Sequence, residues 1–93
     1  MISYGKQSIN QDDIDAVVSV LKSDFLTQGP KIIEFENDLA SYCGSKYAKV
    51  VNNATSALHL AYLSIGIEPG DIVWTTPNTF VSTANAALYS GAT

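Results

Sequence analysis

The chain has 93 residues and a mass of 9.9 kDa, the size of one small domain at most. Apolar residues make up 46% and charged residues 15%, which excludes a disordered tail, because such tails are poor in apolar residues and rich in charge. Five basic residues, all Lys, stand against nine acidic ones for a net charge of −4, so the chain offers no electrostatic footprint for nucleic acid and no polybasic patch for an anionic membrane. No apolar run approaches the ~20 residues of a membrane span, and Tyr4-Gly5-Lys6-Gln7 interrupts any opening signal peptide. The single Cys43 cannot form an internal disulfide, so a reducing, cytoplasmic setting is expected.

The first helix signal begins at Asn10, a good N-cap, with Asp13 three residues later as a loose capping box. Asp12, Asp13 and Asp15 crowd the first turn, where negative charge suits the helix dipole better than it suggests a metal site. Ile14, Val17, Val18 and Leu21 form one apolar stripe. After the 23–29 linker, with Phe25-Leu26 at its centre, Gly29-Pro30 opens a second helix. Ile32, Phe35, Leu39 and Tyr42 share one side of it, and Gly44 reads as a left-handed cap. Cys43 reads as a small packed residue, since no electropositive neighbour would lower its pKa.

The pattern then changes. Residues 47–51 are short and β-prone and predict a strand. A third helix spans Ala54 to Ile65, apolar on more than one side and stopped by Gly66. Pro69-Gly70-Asp71 is a turn signal, and 71–75 predicts a second strand covered on both faces. A loop at 76–79 leads to a fourth helix from Phe80 to Ser90, with Phe80, Thr83, Ala84, Ala87 and Leu88 on its buried face. The order strand–helix–strand–helix points to an α/β fold with a parallel sheet and right-handed crossovers.

Chemistry is expected where strands run into helices. Val51-Asn52-Asn53-Ala54-Thr55-Ser56 passes from strand to helix through small polar residues. Backbone N–H groups there suit an anion, so Ala54, Thr55 and Ser56 read as a phosphate cradle. A plain N-cap at Asn53 or Thr55 accounts for the same residue types. Neither a Walker loop nor a dinucleotide fingerprint is present. Phe80 either stacks on a flat ligand or fills the core. His59, the single histidine, has no partner at metal spacing and reads as a core or supporting residue. No lysine stands out as a Schiff-base nucleophile.

Three segments taken in series resemble a known family. Ser23-Asp24-Phe25-Leu26-Thr27-Gln28-Gly29, then Asn52 through Ala61, then Thr75 through Ala87 are similar to the N-terminal third of the pyridoxal-phosphate-dependent sugar-nucleotide aminotransferases, the DegT/DnrJ/EryC1/StrS family. The resemblance covers essentially the whole chain. It implies the N-terminal piece of the large domain of a fold type I, aspartate aminotransferase-like transferase, with an incomplete parallel or mixed sheet and flanking helices. Residues 1–44 would be leading helices with a substrate and dimer segment, and residues 45–93 the strand–helix–strand–helix unit. Ala54, Thr55 and Ser56 then correspond to residues at the cofactor phosphate, and Phe80 to the aromatic position stacking on the pyridine ring. Tyr4 and Asp24, Phe25, Leu26 and Thr27 correspond to positions lining the substrate pocket.

Leu26-Thr27-Gln28-Gly29 and Ser3-Tyr4 look most like the members of pseudaminic acid biosynthesis, which aminate C4 of a UDP-linked 4-keto-6-deoxy-N-acetyl sugar with L-glutamate as donor, as homodimers. The family's Schiff-base lysine, the aspartate facing the pyridinium nitrogen and a phosphate-binding serine are expected beyond position 93, so these 93 residues by themselves are not expected to be active. The competing expectation is a non-catalytic α/β module binding a phosphate-bearing ligand or a protein.

Overall fold

A computed structural model describes residues 5–93. Its elements are α1 (Gln11–Leu21), α2 (Pro30–Cys43), α3 (Ala54–Ser64) and α4 (Ser82–Tyr89). The chain divides into two compact units, Met1–Ala48 and Lys49–Thr93. The first holds α1 and α2, and the second holds α3 and α4.

In the first unit, α1 starts as its sequence dictates. The Asn10 side chain accepts from the Asp13 N–H at 3.1 Å, and Asp13 accepts from the Asn10 N–H at 2.9 Å. That reciprocal pair satisfies two of the donors a helix start leaves open. Pro30 opens α2 behind the extended Gly29, where its missing N–H costs nothing. The apolar stripes of both helices are exposed rather than packed, and Tyr42 is 91% exposed. Cys43 is exposed too, which corrects the expectation of a packed residue. α2 buries none of its residues, so its last turn offers no packed site.

In the second unit, α3 packs on α4. The His59 ring meets Tyr89 edge-on at 5.7 Å. The Tyr62 hydroxyl donates to the Thr83 carbonyl at 3.4 Å. Ala86, Ala87, Ala92 and Ser82 are the buried residues among those described. Phe80, Ala84 and Leu88 are exposed instead, so the buried face of α4 is turned from the expected one and is built of small side chains. The helix also starts later than expected, at Ser82, after an i→i+3 bond from the Thr83 N–H to the Phe80 carbonyl at 3.1 Å.

α2, α3 and α4 stop by one device. The N–H groups of Ser45, Ile67 and Ala92 reach back to the carbonyls of Ala40, Tyr62 and Ala87, at 2.9, 3.1 and 3.1 Å. This is the paired-bond glycine cap, with Gly44, Gly66 and Gly91 at positive φ. Gly91 has a second constraint, since a Cβ there would stand 3.1 Å from the Pro69 ring.

No strand forms among the described residues, and this corrects the expected sheet. Residues 47–51 and 71–75 carry β-prone side chains but no ladder. A strand exists only through hydrogen bonds to a neighbour, and parallel strands joined by one crossover helix need not be adjacent. One rung is present, from the Thr93 N–H to the Asp71 carbonyl at 2.8 Å. On the same segment Ile72 is exposed and Trp74 is 92% exposed, which is the opposite of a strand covered on both faces. No helix of the described residues is long and apolar enough to cross a membrane.

Candidate functional site

The start of α3 is the better-built of the candidate features. Asn53 is extended, and its side-chain oxygen accepts from the Ser56 N–H at 2.8 Å. The Ser56 hydroxyl in turn donates to Asn52 Oδ1 at 3.0 Å. Both donors of Ser56, expected in the cradle, are thus engaged by the chain itself. Ala54 and Thr55 occupy the first two helical positions, whose N–H groups point out of the helix end with no intrahelical acceptor. Ala54 is exposed and Thr55 half-buried. No acidic residue lies in the first turn, so nothing opposes an anion at the positive end of the dipole. Asn53 thus caps the third position and leaves the N–H groups of the first two without an intrahelical acceptor.

Phe80 lies beyond the 71–75 segment and is 75% exposed. It is not a core phenylalanine. It borders an open depression of about 370 Å³ together with Thr75, Thr76, Pro77, Thr79, Val81 and Ala84. Ala54, Thr55 and Ser56 are not among the residues lining it. A bonded pair of hydroxyls, Thr79 Oγ1 and Thr83 Oγ1 at 2.9 Å, ties the depression to the first turn of α4. His59 faces Tyr89, between α3 and α4, in a supporting position.

In the first unit, Asp24, Phe25, Leu26 and Thr27 form an exposed loop between α1 and α2. Ser23 anchors it: its hydroxyl lies 2.7 Å from the Val20 carbonyl and 3.4 Å from the Phe25 N–H. Leu26 reaches the α1 surface, where it borders a groove of about 540 Å³ with Val17, Val20, Leu21 and Lys31. Tyr4 lies outside the described residues. Sequence reasoning passed over Gln28, which takes a left-handed φ of 53°. Its residue type gives no signal for that conformation, which glycine and asparagine usually occupy.

The model of the DegT/DnrJ/EryC1/StrS aminotransferase family matches residues 7–93. The chain is 56% identical over 92 residues to the UDP-4-amino-4,6-dideoxy-N-acetyl-beta-L-altrosamine transaminase of Campylobacter jejuni, covering 99% of this chain and 24% of that protein. It superposes on the aminotransferase from Psychrobacter cryohalolentis with a TM-score of 0.83 at 36% identity, covering 92% of this chain and 22% of that one. Spr1654 of Streptococcus pneumoniae, solved in a PLP form and a PMP form, gives a TM-score of 0.89 at 32% identity over 99% of this chain. That match covers 23% of the PMP-form chain and 24% of the PLP-form chain. These solved structures are aminotransferases, and the chain spans about a quarter of the length of the curated relatives it matches. With the family model matched from residue 7 to residue 93, the chain belongs to the DegT/DnrJ/EryC1/StrS aminotransferase family.

Proposed function

We propose that this chain is part of a pyridoxal-phosphate-dependent aminotransferase of nucleotide sugars. The complete protein transfers the amino group of L-glutamate to C4 of a UDP-linked 4-keto-6-deoxy-N-acetyl sugar, as a cytoplasmic homodimer, in pseudaminic acid or related nucleotide-sugar biosynthesis. The observation that carries this reading is the acid-free, small-residue N-terminus of α3, where the first two amides face outward. Support for the substrate comes from the 56% identity to the altrosamine transaminase.

Pyridoxal phosphate, when bound, supplies the electron sink that amino transfer needs. The Ala54 and Thr55 N–H groups would hold its phosphate, with the Thr55 hydroxyl as a third donor. Ala54 serves by its small size, which lets the phosphate approach the backbone. Phe80 offers an exposed ring face to the pyridine, as offset aromatic contacts require. Asp24, Phe25, Leu26 and Thr27, with Tyr4, contact the sugar nucleotide. Ser56 acts differently. Bonded to Asn52 and Asn53, it fixes the first turn so that the two outward amides keep their direction.

The test is amino transfer by the full-length protein, loaded with pyridoxal phosphate, from glutamate to the 4-keto sugar nucleotide. Formation of the 4-amino sugar nucleotide with release of 2-oxoglutarate is expected. A full-length protein that binds pyridoxal phosphate but leaves the keto sugar unchanged would overturn the substrate assignment. One that binds no pyridoxal phosphate would overturn the whole reading.

A further inference from the structure

Gln28 has an unusual backbone. Among the described residues it alone bears a side chain at positive φ; the other positive-φ positions are Gly44, Gly66, Gly70 and Gly91. Left-handed backbone costs any residue with a Cβ, and asparagine and aspartate reduce that cost through local hydrogen bonds of their short side chains. Gln28 does not: among the described residues no hydrogen bond engages its carboxamide. A glycine stands next to it, yet Gly29 is committed elsewhere. A Cβ on Gly29 would lie 2.9 Å from Phe25 Cβ and 3.2 Å from the Phe25 carbonyl oxygen. The loop thus closes on itself between Phe25 and Gly29, and Ser23 pins its start to the end of α1. Position 29 therefore has no room for a side chain. Gly would suit position 28 better by backbone alone, and side chains held at such backbone positions concentrate at functional sites.

We infer that Gln28 is a specificity-determining residue of the substrate loop, whose carboxamide hydrogen-bonds the uncharged donor and acceptor groups of the sugar nucleotide. This rests on the aminotransferase reading above, and it extends the substrate contacts beyond Asp24–Thr27. A carboxamide carries both donors and an acceptor, which matches hydroxyl and acylamino groups on a sugar and amide edges on a pyrimidine base. A rigid loop presents that group without ordering a flexible arm at the moment of binding. Leu26 of the same loop lines the groove on the α1 surface, together with Lys31.

The test uses the full-length holoenzyme and the variants Gln28→Gly and Gln28→Ala. Gln28→Gly relaxes the backbone, so its melting temperature should equal or exceed that of the wild type. Its KM for the sugar nucleotide should rise about tenfold while kcat stays within about threefold and KM for glutamate is unchanged. Gln28→Ala, which keeps the Cβ, should show the same KM rise, which separates the lost carboxamide from the changed backbone. Competition by UDP alone then locates the contact: a weakened UDP inhibition constant assigns the base or ribose, and an unchanged one assigns the sugar. If both variants keep the wild-type KM, the inference is overturned while the aminotransferase reading stands. If the wild type itself fails to turn over the sugar nucleotide, that reading fails and the inference falls with it.

Discussion

The starts of α1 and α3 are built from the same cap and differ in the charge that follows it. Each begins with an extended asparagine whose side chain accepts from the N–H three residues on, at 3.1 Å in α1 and 2.8 Å in α3. In α1 the chain fills its own positive end: Asp12 and Asp13 sit in the first turn, and Asp13 bonds back to the cap. In α3 the corresponding positions are Ala54, Thr55 and Ser56, and no acid is present. A helix start that neutralises its dipole internally is a stability feature; one that leaves it open has room for an anion. The contrast teaches that the cap alone does not distinguish a structural terminus from a binding one. The charge in the next three positions is where the two starts differ.

Giving α3 the acid that α1 already has would break the comparison with the largest effect. Ala54→Asp in the full-length protein should weaken pyridoxal phosphate binding about a hundredfold, because a carboxylate would face the phosphate at close range. The same change should leave the melting temperature of the cofactor-free protein equal or slightly raised, since acid in a first turn favours a helix. Thr55→Val removes the hydroxyl and keeps the shape, and cofactor affinity measured by absorbance titration should fall about tenfold. Phe80→Leu should cost about fivefold in the same titration, the worth of an aromatic contact. It should not alter thermal stability, because the ring is exposed.

The smallest effects sharpen the comparison from the side of the caps. Asn10→Ala and Asn53→Ala should each destabilise the cofactor-free protein by about 1 kcal/mol in urea unfolding. Only Asn53→Ala should also weaken pyridoxal phosphate binding, by loosening the turn that aims the Ala54 and Thr55 amides. Equal effects of both variants on the cofactor would show that the two helix starts do not differ in function.

Local signals made much of this legible. Asn10, Asp13, Pro30 and the glycines that end α2, α3 and α4 act through bonds within five residues of themselves, and each sits where the sequence puts it. The sheet was not legible, because β-prone residues such as Val50, Val51 and Val73 record a preference that needs a neighbouring strand to be realised. The burial pattern misled for a related reason. Phe80, Ala84 and Leu88 have the periodicity expected of a packed face, yet they are exposed, and the small residues Ala86 and Ala87 are the buried ones. Periodicity identifies an apolar side without saying what covers it. The helix start at Ala54 and Thr55 was readable from residue type and position, while the exposure of Phe80 was one of two readings its residue type allowed. The engagement of Ser56 by Asn52 and Asn53 was not, because it depends on side-chain rotamers within the turn. The left-handed Gln28 carries no signal in its residue type at all.

The central claim is that the open start of α3 holds a phosphate. Its most direct test compares pyridoxal phosphate with pyridoxal, which lacks the phosphate, in titrations of the full-length wild type and of Ala54→Asp. The wild type should bind pyridoxal phosphate far more tightly than pyridoxal, and Ala54→Asp should lose most of that preference while its affinity for pyridoxal stays the same. An Ala54→Asp protein that keeps the wild-type preference for the phosphorylated ligand would contradict the account.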